Sequence, residues 1–271
     1  MMQADSVTLD ELVEQVRENE KYTAIDLQLI RSLGATELQK RGSLKEAVKS
    51  TRNKLHQVGS SYQEKPIPYP AWQNELSALP AELASESVRA GLCRWMQMHA
   101  STQERLAIHE TFFKQTLSGL GPIHSILDLA CGLNPLNLPW MPFASDFSYS
   151  ACDIYTDMVA FLDTFFAHFH LHGSAFTCDL TRTIPPQPVQ LALLLKTIPC
   201  LEQIDKGAGL RLLEGLQAEN ILVTFPTHSL GGRSKGMVHN YSDHFAQLVS
   251  GKPWQITRFD FPGELAFLIR K

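Results

Sequence analysis

The 271-residue chain has no GxGxxG loop, no CxxC pair, no fixed-period repeat and no long apolar run. Without GxGxxG, the usual seat for a pyrophosphate on a helix N-terminus is missing, which argues against NAD or FAD. The apolar runs fall short of the roughly 18 residues that a membrane-spanning helix needs. Residues 1–20 hold six acids, one Arg and no apolar stretch, so a signal peptide is not expected there. The five cysteines are odd in number and widely spaced, a poor disulfide framework and a poor zinc site. Cys131, Cys152 and Cys178 fall at strand ends, where a buried thiol acts as a small hydrophobe. A reducing, cytoplasmic setting is the expectation. Strong net charge is absent too: the formal value of −4 counts, by itself, against a nucleic-acid partner.

What is present divides by texture. The 44% apolar content suits a globular core, and the length allows one large domain or a domain with an extension. Residues 1–120 read as a helical region. Ser43-Leu-Lys-Glu46 is a capping box, and the helix it opens places Leu44, Val48, Thr51 and Leu55 on one side. Lys45, Lys49, Arg52 and His56 share the other. The alternating prolines of Lys65-Pro-Ile-Pro-Tyr-Pro70 predict an extended connector. Ser101-Thr-Gln-Glu104 is a second capping box, which would put Arg105 in the first turn of its helix.

Residues 121–271 alternate short apolar runs with helical segments. The runs predict strands at Ser125–Leu129, Tyr149–Cys152, Ala175–Cys178, Leu191–Leu195, Ile221–Phe225, Gln255–Phe261 and Leu265–Ile269. Such alternation predicts a mostly parallel, doubly wound sheet. Pro262-Gly-Glu264 turns the last two runs into an antiparallel edge pair. Five α/β units closed by a hairpin match the Rossmann-like, seven-stranded layout of class I S-adenosylmethionine (SAM) methyltransferases.

Ligands in such sheets bind beyond the carboxyl ends of the strands. Asp128-Leu-Ala-Cys-Gly-Leu-Asn-Pro135 follows the first strand, and Gly132 permits a tight turn there. An acid-bearing loop with one Gly suits a cofactor with a cationic centre, an amino-acid end and no phosphate. Asp153 closes the second strand, where an acid accepts from ribose hydroxyls, and Asp179 closes the third, where one can accept from an adenine amine. Each Asp alone could equally cap the next helix; three in succession argue for a site. A cation in a first helical turn is disfavoured by the helix dipole, so Arg105 suggests an anionic partner such as the methionine carboxylate. A salt bridge to a neighbouring Glu is the alternative.

Three motifs then identify a family. His99-Ala-Ser-Thr-Gln-Glu-Arg-Leu106, the Asp128–Pro135 loop and Phe225-Pro-Thr-His-Ser-Leu-Gly-Gly-Arg-Ser-Lys-Gly-Met237 together resemble the aminoglycoside-resistance 16S rRNA methyltransferases that modify guanine-1405 at N7. The likeness covers most of the chain and is weakest in the first 40 residues and the Pro-rich run. It implies SAM as cofactor and S-adenosyl-L-homocysteine as product. It implies cofactor contacts from Arg105, Asp128, Ala130, Gly132, Asp153, Ile154, Asp179, Leu180 and Leu195. It also implies catalytic roles for Lys196, in Leu194-Leu-Lys-Thr-Ile-Pro199, and for Glu202. In relatives an Arg is expected where this chain has His228, so an RNA contact there would depend on pH.

The implied chemistry is simple. Guanine N7 carries a lone pair and no proton, so attack on a methyl group needs orientation and no general base. The base must also be exposed or flipped to reach a pocket. The window from Lys40 to His56, with Lys40, Arg41, Lys45, Lys49, Arg52 and Lys54 against Glu46, carries a local charge of +5 within the −4 chain. A solvated helix face is the plain reading of such a run. Its concentration against an acidic remainder instead favours phosphate docking. His228, Arg233, Lys235, Met237 and Asn240, in and around the Gly-rich loop, are placed to meet the target nucleotide. The expected partner is 16S rRNA within the assembled 30S subunit, approached by a monomer, with no membrane and no metal. The rivals are a SAM methyltransferase for another rRNA base, and a ribosome-binding protein that keeps SAM but lacks catalysis.

Overall fold

The computed structural model describes residues 2–59, 66–228 and 236–271, with no side chains before residue 8. Helices α1 (Met2–Arg17), α2 (Leu27–Lys40) and α3 (Leu44–Val58) form the first layer, followed by α4 (Tyr69–Ser77), α5 (Glu86–Met96), α6 (Ala100–Arg105) and α7 (His109–Leu117). Ser43 caps α3, its hydroxyl accepting from the Glu46 N–H at 3.3 Å. Val48, Thr51 and Leu55 are buried while Lys45, Lys49 and His56 face solvent, as their spacing predicts. The Pro-rich run differs from expectation at its end. Pro68 caps α4 and Pro70 lies in its first turn, where the missing N–H of proline is no loss.

The sheet consists of β1 (Ser125–Leu129), β2 (Ser148–Asp153), β3 (His172–Thr177), β4 (Val189–Leu195), β5 (Ala218–Pro226), β6 (Gln255–Phe261) and β7 (Glu264–Arg270). Their order is β3-β2-β1-β4-β5-β7-β6. β1 to β5 run parallel, and β7 lies antiparallel between β5 and the edge strand β6. The order reverses between β1 and β4, which places the ligand crevice beyond those strand ends.

Two apolar layers hold the sheet. On one face α8 (Thr156–His168) joins the N-terminal helices in a continuous core. There Trp72 stacks on Trp95 at 5.3 Å, and Tyr69 and Phe161 pack beside them. On the other face lie α9 (Thr197–Leu201), α10 (Ala208–Gly215) and α11 (Met237–Val249). A backbone bridge ties the helical region to the sheet domain. Asp26 N–H donates to the Ile154 carbonyl at 2.7 Å, and Thr156 N–H donates to the Ala24 carbonyl at 2.8 Å.

Candidate cofactor cleft and nucleic-acid interface

The ends of β1 to β4 open on a cleft of about 830 Å³, lined among others by Arg105, Ala130, Gly132, Asp153, Ile154, Asp179, Leu180, Leu195 and Lys196. After β1 the chain turns sharply, with Ala130 at φ 51° and Gly132 at φ 52°. A Cβ on Gly132 would sit 2.7 Å from the His99 ring. Only glycine suits both the dihedral and the contact. Gly132 N–H donates to Asp153 Oδ2 at 2.8 Å and Ile154 N–H to Oδ1 at 2.7 Å. Burial pushes the Asp153 pKa up and these bonds oppose it. Each carboxylate oxygen keeps acceptor capacity for a hydroxyl in the cleft.

Asp179 is half satisfied. Its Oδ1 accepts from the Thr181 N–H at 3.0 Å and hydroxyl at 2.5 Å, whereas Oδ2 is buried without a partner among the described residues. A buried acceptor without a donor is costly, and an amine entering the cleft would supply one.

Arg105 corrects the expectation about its helix. The Ser101 capping box is not used: α6 starts at Ala100 with His99 as its N-cap. Thr102 turns its hydroxyl back to the Met96 and His99 carbonyls, at 2.7 and 3.0 Å. Arg105 therefore lies in the last turn, where the dipole favours a cation. It grips Glu264 through Nε and Nη2, at 3.1 and 2.6 Å, and its Nη1 donates to Asn134 at 3.3 Å. A guanidinium carries five N–H donors, so the fork retains donors for an anion in the cleft.

Lys196 closes the other side. It is buried, in the left-handed region at φ 61°, where its N–H donates to the Thr224 carbonyl and hydroxyl at 3.1 and 3.0 Å. A non-glycine residue there is strained. Its Nζ bonds Glu104 and lies 3.7 Å from Glu264. Burial raises the Glu264 pKa, but Arg105 and Lys196 outweigh it and hold the carboxyl below its ordinary value. Beside them, burial and then the Lys196 and Arg105 charges push His99 down to about 4, so it is neutral near pH 7.

Two expected site residues lie off the cleft surface. Asp128 is wholly buried behind it, accepting from Asn134 at 2.9 Å and Tyr149 at 2.6 Å. Burial pushes its pKa up to about 7 against those bonds. It positions Asn134, and through it Arg105. Glu202, for which the resemblance implies a catalytic role, follows the far end of α9 and pairs with His244 at 2.7 Å.

The family described as Ribosomal RNA methyltransferase (FmrO) matches residues 18–268. The chain belongs to that family. A relative from Micromonospora echinospora, named 16S rRNA (guanine(1405)-N(7))-methyltransferase, is 33% identical over 265 residues, 97% of each chain. One of the same name from Serratia marcescens is 30% identical over 98% of this chain and 99% of its own. The crystal structure of 16S rRNA methyltransferase RmtF in complex with S-adenosyl-L-homocysteine superposes with a TM-score of 0.83 at 29% identity, covering 97% and 98% of the two chains.

In this FmrO-family chain the expected RNA contacts differ in how available they are. Lys40, Lys45 and Lys49 are exposed. Arg41 and Lys54 both hold buried Glu37, at 3.0 and 2.8 Å, which removes part of the local excess read from the sequence. Arg52 is half-buried, bonded to the Gln15 carbonyl and 3.8 Å from Glu18. Met237 and Asn240 lie in the first turn of α11, and His228 is half-buried beside Thr227. Arg233 and Lys235 lie outside the described residues. Sequence reasoning missed Glu104, Glu264, Asn134 and His99, and also Leu29, Val58 and Gly59, by which the helical region supplies one wall of the cleft.

Proposed function

We propose that this chain transfers a methyl group from SAM to N7 of guanine 1405 in 16S rRNA of the 30S subunit, and so confers resistance to 4,6-disubstituted deoxystreptamine aminoglycosides. The observation that carries the reading is the run of acceptors at successive strand ends, above all Oδ2 of the cleft-lining Asp179, which is without a partner among the described residues. Asp179 suits the adenine amine, Asp153 the ribose hydroxyls and the Arg105 fork the methionine carboxylate. When bound, SAM supplies a methyl group on a positively charged sulfur.

The chain's own residues then do three things. They hold the cofactor, they place N7 in line, and they exclude water from a largely buried cleft. Glu104 and Glu264 offset Lys196 and Arg105, so a cationic sulfonium does not enter against two bare positive charges. Lys196 Nζ donates to guanine O6 or to a neighbouring phosphate. No side chain need accept a proton, because N7 has none. Lys40, Lys45, Lys49 and Arg52 dock the helical face on rRNA phosphates, a contact that weakens with salt. The enzyme works as a cytoplasmic monomer on assembled subunits; among the described residues, no helix is long and apolar enough to cross a membrane.

Expression in a sensitive bacterium, with the modified base mapped on 30S subunits, tests this reading. Resistance to gentamicin and kanamycin without resistance to apramycin, and methylation at guanine 1405, is the expected result. Apramycin resistance would move the target to a neighbouring adenine. SAM binding with no resistance would leave a ribosome-binding protein without catalysis.

A further inference from the structure

The geometry points to His244 as a positioning residue for methyl transfer, acting through Glu202 to hold helix α11 in register with the short helix that follows Lys196. The inference rests on the methyl-transfer reading above. Helix α9 has Lys196 as its N-cap and Glu202 as its C-cap. Cys200 and Leu201 face the cleft, whereas the Glu202 side chain enters the seam between α9, α10 and α11. There its Oε2 lies 2.7 Å from His244 Nε2, and Oε1 is buried with no partner among the described residues. A Cβ on Gly209 of α10 would come within 2.7 Å of Oε1, so the seam closes tightly around this carboxylate.

His244 belongs to the helix that carries the residues expected at the target base. Met237, Asn240 and His244 follow one another at steps of three and four, so they share one stripe of α11. Elsewhere α11 is held by apolar packing and stacked rings, Tyr241 on Phe225 at 5.1 Å and Phe245 on Phe267 at 4.0 Å. At its exposed side it is held by Arg258 of β6, whose Nη1 donates to the Ser242 hydroxyl at 3.1 Å, a bond to the sheet edge and not to α9. Stacked rings fix the spacing of a helix from a sheet but tolerate sliding. A directional hydrogen bond to a buried carboxylate fixes position along the axis. It thereby sets the distance from Met237 and Asn240 to Lys196. Glu202 is not a base in this arrangement, since N7 offers no proton and the carboxylate does not line the cleft.

The test compares full-length His244→Ala, His244→Gln, Glu202→Ala and Glu202→Gln with the wild type on the same 30S subunits. Turnover, SAM affinity and melting temperature are measured for each. Both Ala variants should lose roughly tenfold or more in kcat, the cost of misplacing a reacting atom, with SAM affinity unchanged within about twofold. The Ala/Ala double variant should be no worse than either single one, as for two ends of one interaction. Each Gln variant can still make the hydrogen bond and should recover most of the lost turnover. Full activity in His244→Ala overturns the inference alone, as does a Glu202→Gln variant as impaired as Glu202→Ala, which would mean that charge and not position matters. If an Ala variant fails to fold, the Gln pair decides by the same criterion. A wild type inactive on 30S would overturn the methyl-transfer reading, and this inference with it.

Discussion

Two buried glutamates of this protein look alike on paper and differ in kind. Glu37 in the helical region and Glu264 at the cleft are each 1% exposed, and each sits between two cations. The partners of Glu37 remain in touch with water, Arg41 at 47% exposure and Lys54 at 21%. The partners of Glu264 do not, Arg105 at 1% and Lys196 at 4%. Around Glu37 the chain has built a staple between neighbouring helices, and hydrogen bonds from Lys54, Ser50 and Arg41 overcome burial to hold its pKa at about 2. Around Glu264 it has taken both cations out of water, which costs several kcal/mol per ion before any pairing. That arrangement gives little net stability, but it leaves fixed, buried charges at the cleft, where they act on a ligand without reorganising.

The largest expected effect breaks the comparison on the cleft side. Lys196→Met keeps the bulk and removes the charge. It should cut methylation by about a hundredfold or more, while calorimetry finds SAM affinity within about threefold of wild type. Wild-type turnover would reduce Lys196 to a second staple. The next effect lies on the helical side. Glu37→Gln should cost about 1.5–3 kcal/mol, the value of charged hydrogen bonds, seen as a drop of several degrees in melting temperature with turnover unchanged. Because the Glu37 pKa is depressed on folding, its contribution is complete above its ordinary value near 4.5 and is lost as pH falls toward 2. Glu37→Gln should therefore flatten the acid limb of the stability curve, and an unchanged limb would contradict the staple.

The smallest effect sharpens the cleft side. The pKa of Asp128 is raised on folding, so its favourable contribution is complete below about 3.8 and is lost as pH rises through about 7. Asp128→Asn still accepts from Tyr149 and Asn134. Denaturant melts should show it less sensitive than wild type to pH between 4 and 8, a range set by those values; equal slopes would place the titration elsewhere.

Much of this was legible in the sequence where the signal is local. β1 has the predicted ends because Ser125–Leu129 is an uninterrupted run that is buried beyond its first residue. Asp153 and Asp179 could be picked out because each follows a recognisable strand. β3 begins earlier than expected, since His172 and Ser174 are polar yet still pair with Ser148 and Ser150 of β2. Backbone ladders do not require apolar side chains. The start of α6 was misread because a capping box is a local pattern, and here the Thr102 hydroxyl bonds backward instead. Glu264 and Glu104 left no trace at all. One lies 159 positions from Arg105 and the other 92 from Lys196, and no pattern within a helix or strand reports such pairs.

The bridge from Ala24–Asp26 to Ile154–Thr156, with Gly59 against Tyr155, bears on how this protein could be rebuilt. A Cβ at position 59 would lie 2.7 Å from the Tyr155 hydroxyl and 2.9 Å from Ile154. The N-terminal helices are therefore not an interchangeable cartridge. A chimera that grafts them from a relative must also bring a residue small enough at this seam, or Tyr155 and Ile154 must shift at the cleft wall while every charged side chain on the exposed face of α3 stays in place.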